Sequence, residues 1–367
     1  MNSNSILFIT SEFPPQPGGI GEHAYQLAFA LTSKGKKVTV VTDTRSKDGL
    51  EEIAFDNSLP FRVRRIHRRT FLPITYLKRC TVALNLLKKN QILLVSGKFS
   101  LWMVWLLRKF TSKKLIAIIH GTEVLLPNKN QRKFTENCLI QCDGVVAVSN
   151  YTASLVSHLP LRKVVIIPNG VIPQNLAEHS KGKPHTLQLI TVGNLTQRKG
   201  QHNIIQVLPN LKTIFPEVHY HMVGLPTEKE KLQQLASGLG VSDRVTFHGR
   251  VSESEKNQLM DASTVFVMLS EATGRGDVEG FGIAILEANV RGLPAVGAKG
   301  CGIEDAISTG VSGELVNATN AHEIVNAIKK IVSNYDSYSK NALEWSSKFH
   351  WNAIVEKYLM LFDETKW

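Results

Sequence analysis

A chain of 367 residues with 43% hydrophobic content, 26 Gly and 14 Pro is long enough for two α/β domains and too apolar for a disordered or fibrous protein. Its four cysteines (Cys80, Cys138, Cys142, Cys301) lack metal-site spacing and follow no signal-peptide pattern, which predicts free thiols in a reducing, cytoplasmic setting. No apolar run approaches the ~18 residues needed to span a bilayer, so an integral membrane protein is not expected.

The net charge of +12 has a location: residues 61–114 hold fourteen Lys or Arg and no Asp or Glu, which leaves the rest slightly acidic. Phe71, Tyr76, Trp102, Trp105 and Phe110 are interleaved with those cations. Basic groups beside aromatic rings suit an anionic membrane surface. Nucleic acid would attract the same charges and is the lesser candidate. The plain alternative is a solvated basic face with its Trp and Leu residues in the core.

In chain order, Ile6–Thr10 has the length of a strand, and the prolines of Pro14-Pro15-Gln16-Pro17 forbid its continuation. Ile20, Ala24, Leu27, Ala28 and Leu31 then mark one helix face, which Gly35 ends. Val38–Thr42 is a second strand. A strand, glycine loop, helix and strand open a parallel sheet. The loop Gly18-Gly19-Ile20-Gly21 lacks the G-x-G-x-x-G pattern; it is a tight turn or a place for backbone N–H groups to meet a phosphate. Further strands are expected at 92–95, 115–119, 145–148 and 164–167. His120-Gly121 follows one of them directly, where parallel sheets bind ligands.

Residues 171–186 contain Pro173, Gly182 and Pro184 without an apolar pattern and read as a linker between domains at 1–170 and 187–345. The second domain has strands at 187–192, 220–223, 245–248, 265–269 and 293–298. Gly193-Asn194-Leu195-Thr196-Gln197-Arg198-Lys199-Gly200 links the first of these to a helix, and cations there suit a diphosphate. No Asp-x-Asp triplet is present, so no dedicated divalent-metal clamp is predicted. In Glu279-Gly280-Phe281-Gly282-Ile283-Ala284-Ile285-Leu286-Glu287 two carboxylates are eight residues apart, before and within a helix start. Carboxylates accept sugar or ribose hydroxyls well; an ordinary strand–loop–helix connection is the alternative. Apolar spacing through Trp351, Ile354, Val355, Tyr358, Leu359 and Phe362 predicts a helix in the terminal segment 346–367.

Taken together these motifs resemble a retaining glycosyltransferase of family 4, the GT-B group 1 transferases. Pro-rich Gly18-Gly19-Ile20-Gly21, His120-Gly121, Arg198-Lys199-Gly200, Val245 to Val251 and the E-x7-E stretch from Glu279 to Glu287 carry the likeness over nearly the whole chain. The resemblance implies two Rossmann-like domains whose parallel sheets face a central cleft, with the terminal helix returning to the first domain. It implies hexose transfer from a UDP- or GDP-linked sugar to a lipid-linked or oligosaccharide acceptor, with retention and without a metal or other cofactor.

Residue by residue, Glu279 would contact the donor sugar, Glu287 the ribose, and Lys199 with Arg198 the leaving diphosphate. Gly19, Gly280, Phe281, Gly282 and Ile283 would approach the donor through backbone, Arg250 and Val251 would hold the base, and His120 would orient the sugar. Asn194 departs from the arginine of many relatives, leaving Arg198 to compensate. The protein is expected on the inner face of the plasma membrane, docked through 61–114. A nucleotide-sugar epimerase and a non-catalytic membrane or nucleic-acid binder on this scaffold are the alternatives.

Overall fold

The computed structural model of the protein describes residues 4–68, 72–173, 186–274 and 276–364. The chain divides into two units, residues 1–170 with 351–367, and residues 171–350. The expected linker falls almost entirely on 174–185, outside the described residues.

The first unit alternates strand and helix: β1 Ser5–Thr10, α1 Gly19–Ser33, β2 Lys37–Thr44, α2 Leu50–Asn57, β3 Arg62–His67, α3 Leu72–Leu87, β4 Ile92–Ser96, α4 Lys98–Leu107, β5 Lys114–Ile119, α5 Lys129–Ile140, β6 Gly144–Ala147, α6 Asn150–Ser154 and β7 Val164–Ile166. Its seven strands pair in parallel in the order β3-β2-β1-β4-β5-β6-β7. Helices cover both faces of such a sheet, so its central strands are apolar throughout rather than alternating. Ile6, Leu7, Phe8 and Ile9 are accordingly all buried, as are Leu93, Leu94 and Val95. The order reverses between β1 and β4, which puts a ligand crevice beyond the carboxyl ends of those two strands.

The second unit runs β8 Gln188–Val192, α7 Gln201–Ile214, β9 His219–Val223, α8 Lys229–Gly238, β10 Val245–Gly249, α9 Glu253–Asp261, β11 Val265–Met268, α10 Ile283–Asn289, β12 Ala295–Ala298, β13 Gly313–Val316, α11 Ala321–Ser333 and α12 Tyr335–Ser347. Six parallel strands take the order β10-β9-β8-β11-β12-β13. The last helix, α13 Trp351–Asp363, belongs to the first unit, where it packs on α1. Trp351, Ile354, Val355, Tyr358, Leu361 and Phe362 are its buried face. Each such aliphatic or aromatic side chain contributes roughly 1.5–3 kcal/mol on burial, enough to fix the helix in place.

Two strands lay outside the sequence expectation. β3, Arg-Val-Arg-Arg-Ile-His, is an edge strand on which Arg62, Arg64 and His67 are exposed, and β13 is four residues long and opens on Gly313. Neither offers the apolar run of a central strand.

The cationic segment is correspondingly not one face. It comprises β3, α3, β4 and α4 and reaches into β5. Five of its cations are committed to the protein: Arg65 to Asp56, Arg79 to Asp43, Arg108 to Asp143, Lys113 to the carbonyls of Leu87 and Asn90, and Lys114 to those of Phe362 and Glu364. Trp102 donates to Thr135 and packs on Phe99 and Phe134, whereas Trp105 and Phe110 are exposed. Phe71 lies outside the described residues. Among the described residues no helix is long and apolar enough to cross a membrane.

Candidate functional site

In the second unit the turn after β8 brings the expected cations to the expected carboxylate. Residues 197–199 form a single 3-10 turn ended by Gly200, whose φ of +71° and whose position against the carbonyl of Leu269 exclude any side chain: a Cβ there would sit 1.7 Å from that oxygen. This close approach of β8's turn to the end of β11 is what aims Arg198 and Lys199 at the following loop. Arg198 Nη1 lies 2.5 Å and Lys199 Nζ 2.6 Å from Glu279 Oε2, while Arg198 Nε also reaches Asp277 at 3.2 Å. Burial alone would raise the Glu279 pKa. The charges of Lys199 and Arg198 and their hydrogen bonds outweigh it and hold the carboxyl down at about 2.

The loop itself is pinned by glycines. The Gly302 N–H donates to the Glu279 carbonyl at 2.9 Å, and a Cβ on Gly302 would strike the carbonyl of Gly280. Gly282 takes φ +89° immediately before α10, a left-handed position that favours glycine. The Phe281 side chain is buried against Phe349, so only its backbone is available to a ligand. Ile283 opens α10, and Glu287, one turn on, is half-buried and 3.2 Å from Lys256 Nζ on α9. Arg250 is exposed and Val251 half-buried on the turn after β10, and Ser252 caps α9. Arg198, Lys199 and Glu279 are therefore in direct contact; Glu287 is instead paired with Lys256, and none of these contacts includes Arg250 or Val251.

In the first unit His120 follows β5. Its Nε2 is 3.0 Å from Ser96 Oγ at the end of β4, and its backbone N–H donates to both oxygens of the Glu123 carboxylate at 3.1 and 3.2 Å. Exclusion of water lowers the His120 pKa to about 4. The same exclusion raises that of Glu123 to about 7 against the pull of the backbone donors, with Glu12 adding to the rise. His23 stands edge-on to His120, ring centroids 5.0 Å apart, and its Nε2 is 3.3 Å from Tyr358 Oη on α13. Gly19 begins α1 with open space where a Cβ would be.

Sequence reasoning missed Asp277, Lys256, Ser96, Glu123 and His23. A signal existed for His23, a lone polar residue in the apolar stripe of α1, and for Asp277, two residues before Glu279. Lys256 and Ser96 gave none, because their partners come from other elements.

A profile described as Glycosyltransferase Family 4 matches residues 17–175, and one described as Glycosyl transferases group 1 matches residues 175–345. The GDP-mannose-dependent alpha-(1-6)-phosphatidylinositol monomannoside mannosyltransferase of Mycolicibacterium smegmatis is 26% identical over 355 residues, 89% of each chain. The gpi3 subunit of the phosphatidylinositol N-acetylglucosaminyltransferase of Schizosaccharomyces pombe is 25% identical over 78% of this chain and 66% of that protein. In fold the chain is similar to Anabaena HepE, solved in complex with UDP and glucose, with a TM-score of 0.79 at 20% identity over 97% of this chain and 98% of that one. With two profiles running from residue 17 to residue 345 over a pair of parallel-sheet units, the chain belongs to glycosyltransferase family 4 and is a glycosyltransferase of the GT-B fold.

Proposed function

We propose that the protein is a retaining, metal-independent hexosyltransferase that moves mannose, glucose or N-acetylglucosamine from a UDP- or GDP-linked donor to a lipid-linked or saccharide acceptor in cell-surface glycan synthesis. The observation that carries this reading is the Glu279 carboxylate held between Arg198 and Lys199. A diphosphate brings negative charge to the same two cations. They then stabilise the charge that grows on the leaving group, a preplaced electrostatic role that metals fill elsewhere. Glu279, released from them in part, accepts a hydroxyl of the donor sugar. The backbone N–H groups around Phe281, Gly282 and Ile283 serve the remaining sugar hydroxyls or the phosphate.

Glu287 accepts the ribose hydroxyls on leaving Lys256, the turn at Arg250 and Val251 holds the base through its backbone, and Gly19 meets the donor at the start of α1. His120, neutral at physiological pH, orients the sugar. Attack and departure share one face of the sugar, and the donor's phosphate oxygen takes the acceptor's proton. The names of the mannosyl- and N-acetylglucosaminyl-transferases above, both phosphatidylinositol-directed, support a hexose donor and a lipid acceptor. We place the reaction at the cytoplasmic face of the membrane.

Thermal denaturation with UDP and GDP tests the donor site, since a ligand of the native state at a hundredfold excess over Kd raises Tm by about 5–10 °C. Turnover of the matching sugar nucleotide, with and without phosphatidylinositol vesicles, tests the acceptor. The expected result is a shift with one base and label transferred into the lipid. No shift and no turnover would overturn the reading.

A further inference from the structure

Beyond the site around Glu279, the first unit holds a cationic hollow at the carboxyl ends of β1, β2 and β3, lined by Ser11, Asp43, Arg45, Arg68, Thr75, Tyr76, Arg79 and Phe99. Ser11 follows β1, Asp43 lies near the end of β2, Arg45 follows that strand, and Arg68 follows β3. Tyr76 and Arg79, one turn apart on α3, close the side, with the Arg79 guanidinium 5.5 Å from the Tyr76 ring centroid. Three guanidinium groups thus meet where parallel sheets present ligands.

Their counter-charges are incomplete. Asp43 takes Nη2 of Arg79, and Glu12 stands 3.6 Å from Arg45, whose Nη2 also donates to the Ser11 carbonyl at 3.2 Å. Arg79 is only 2% exposed, and its Nε and Nη1 have no hydrogen-bond partner. Buried guanidinium donors left unpaired are costly, and native proteins rarely leave them so. Nε and Nη1 lie on either side of Cδ, and Asp43 already takes Nη2, so each of the two unpaired donors offers one charge-assisted hydrogen bond to an oxyanion. A neutral hydroxyl would leave the excess positive charge unanswered.

We propose that this hollow binds a phosphate group carried by the acceptor, so that the substrate to which sugar is added is a phosphate ester or diester. This deepens the transferase reading and rests on it for the word acceptor. Arg79 supplies buried single donors at Nε and Nη1, Arg68 and Arg45 supply charge at the rim, and the Tyr76 hydroxyl is a further donor. A phosphodiester headgroup and a free phosphate ion share this chemistry, and the probes below separate them.

The test is calorimetric titration of the whole chain with glycerol 1-phosphate, glycerol and inorganic phosphate, beside a separate titration with UDP or GDP. Glycerol 1-phosphate is expected to bind at least tenfold more tightly than inorganic phosphate, and glycerol not at all. Arg68→Ala should weaken it about tenfold, and Arg45→Ala with Arg68→Ala should abolish it, with nucleotide affinity unchanged. Arg79→Lys, which keeps the charge opposite Asp43 and removes the Nε and Nη1 donors, should weaken it at least tenfold. In turnover the same variants should raise the acceptor KM and leave the donor KM alone.

Saturable binding of neither phosphate, or binding indifferent to the arginine variants, overturns the proposal. Equal affinity for inorganic phosphate overturns the assignment to an acceptor-borne group. Loss of nucleotide-sugar turnover with arginine-dependent glycerol phosphate binding intact would instead count against the transferase reading and leave the phosphate site standing.

Discussion

Lys199 Nζ and Glu279 Oε2 are 2.6 Å apart although eighty residues separate them in sequence. Arg198 shares the same oxygen, so two cations and one carboxylate form a unit that is only 13% exposed at Lys199 and Glu279. Glu279→Gln removes the charge that the two cations share and leaves Arg198 with Asp277 alone. The expected cost is about 3 kcal/mol of stability, and transfer should fall at least ~100-fold. A nucleoside diphosphate can replace the lost charge, so UDP or GDP should raise the variant's Tm more than that of the wild type. Differential scanning fluorimetry with and without nucleotide reads this. Equal ligand shifts together with wild-type turnover would sink the assignment.

Gly200 permits the turn that aims those cations. Gly200→Ala must take a left-handed φ and press Cβ into the Leu269 carbonyl, a strain of at least ~2 kcal/mol. The control is Gly238→Ala at the end of α8, where a Cβ meets nothing within 4 Å. That change should be neutral or stabilise slightly, by up to about 1 kcal/mol. Urea denaturation of the two variants distinguishes a local requirement at 200 from general intolerance; a stable, active Gly200→Ala would refute it.

Much of this was legible in the sequence. Apolar runs such as Ile6 to Ile9 are legible because both faces of a parallel sheet are buried, and α1 because its stripe follows the helical period. The contact of Arg198 and Lys199 with Glu279 was not derivable from spacing; only the family resemblance joined residues eighty positions apart. The edge strand β3 looked like part of a basic surface because an edge needs few apolar residues. The pairing of Glu287 with Lys256 was hidden for a different reason, since α9 and α10 meet only through the folded sheet. Charge counting gives a total and not the pairing of Arg65, Arg79 and Arg108, for burial against Asp56, Asp43 and Asp143 leaves no trace in local sequence.

The pH dependence of stability turns on two groups at β5 with opposite signs. His120 has a folded pKa of about 4, below the 6.5 of an unperturbed imidazole, so the unfolded chain takes its proton first and stability falls as pH drops from 6.5 towards 4. Glu123 has a folded pKa of about 7, above its ordinary 4.5, so the folded chain holds the proton and stability is lost as pH rises from 4.5 through 7. The two slopes oppose each other between 4.5 and 6.5. Glu123→Gln keeps an acceptor for the His120 N–H and cannot ionise. Relative to wild type it should gain up to about 3 kcal/mol above pH 7 and little at pH 5. Urea midpoints at pH 5 and pH 8 measure this; a gain of equal size at both would show that ionisation of Glu123 is not the cause.

Membrane docking, proposed from the basic segment, now rests on a smaller set of side chains. On α3, Ile74 and Leu77 are 44% and 70% exposed, and Trp105 of α4 and the following Phe110 are 46% and 65% exposed. Lys78 and Lys109 are exposed beside them, with Lys109 Nζ 3.7 Å from the Trp105 ring centroid. Since α3 and α4 are in contact, one surface of the first unit can offer both sets. Apolar insertion and headgroup attraction act together in such a surface, each basic residue adding ~1 kcal/mol. Flotation with vesicles of phosphatidylcholine, with or without phosphatidylserine, should show binding that needs the anionic lipid and weakens with salt. Leu77→Asp, an exposed change that should leave folding intact, should cut binding about tenfold, and Trp105→Ala should cut it less. Binding indifferent to lipid charge, or unchanged in both variants, would return these residues to an ordinary solvated face.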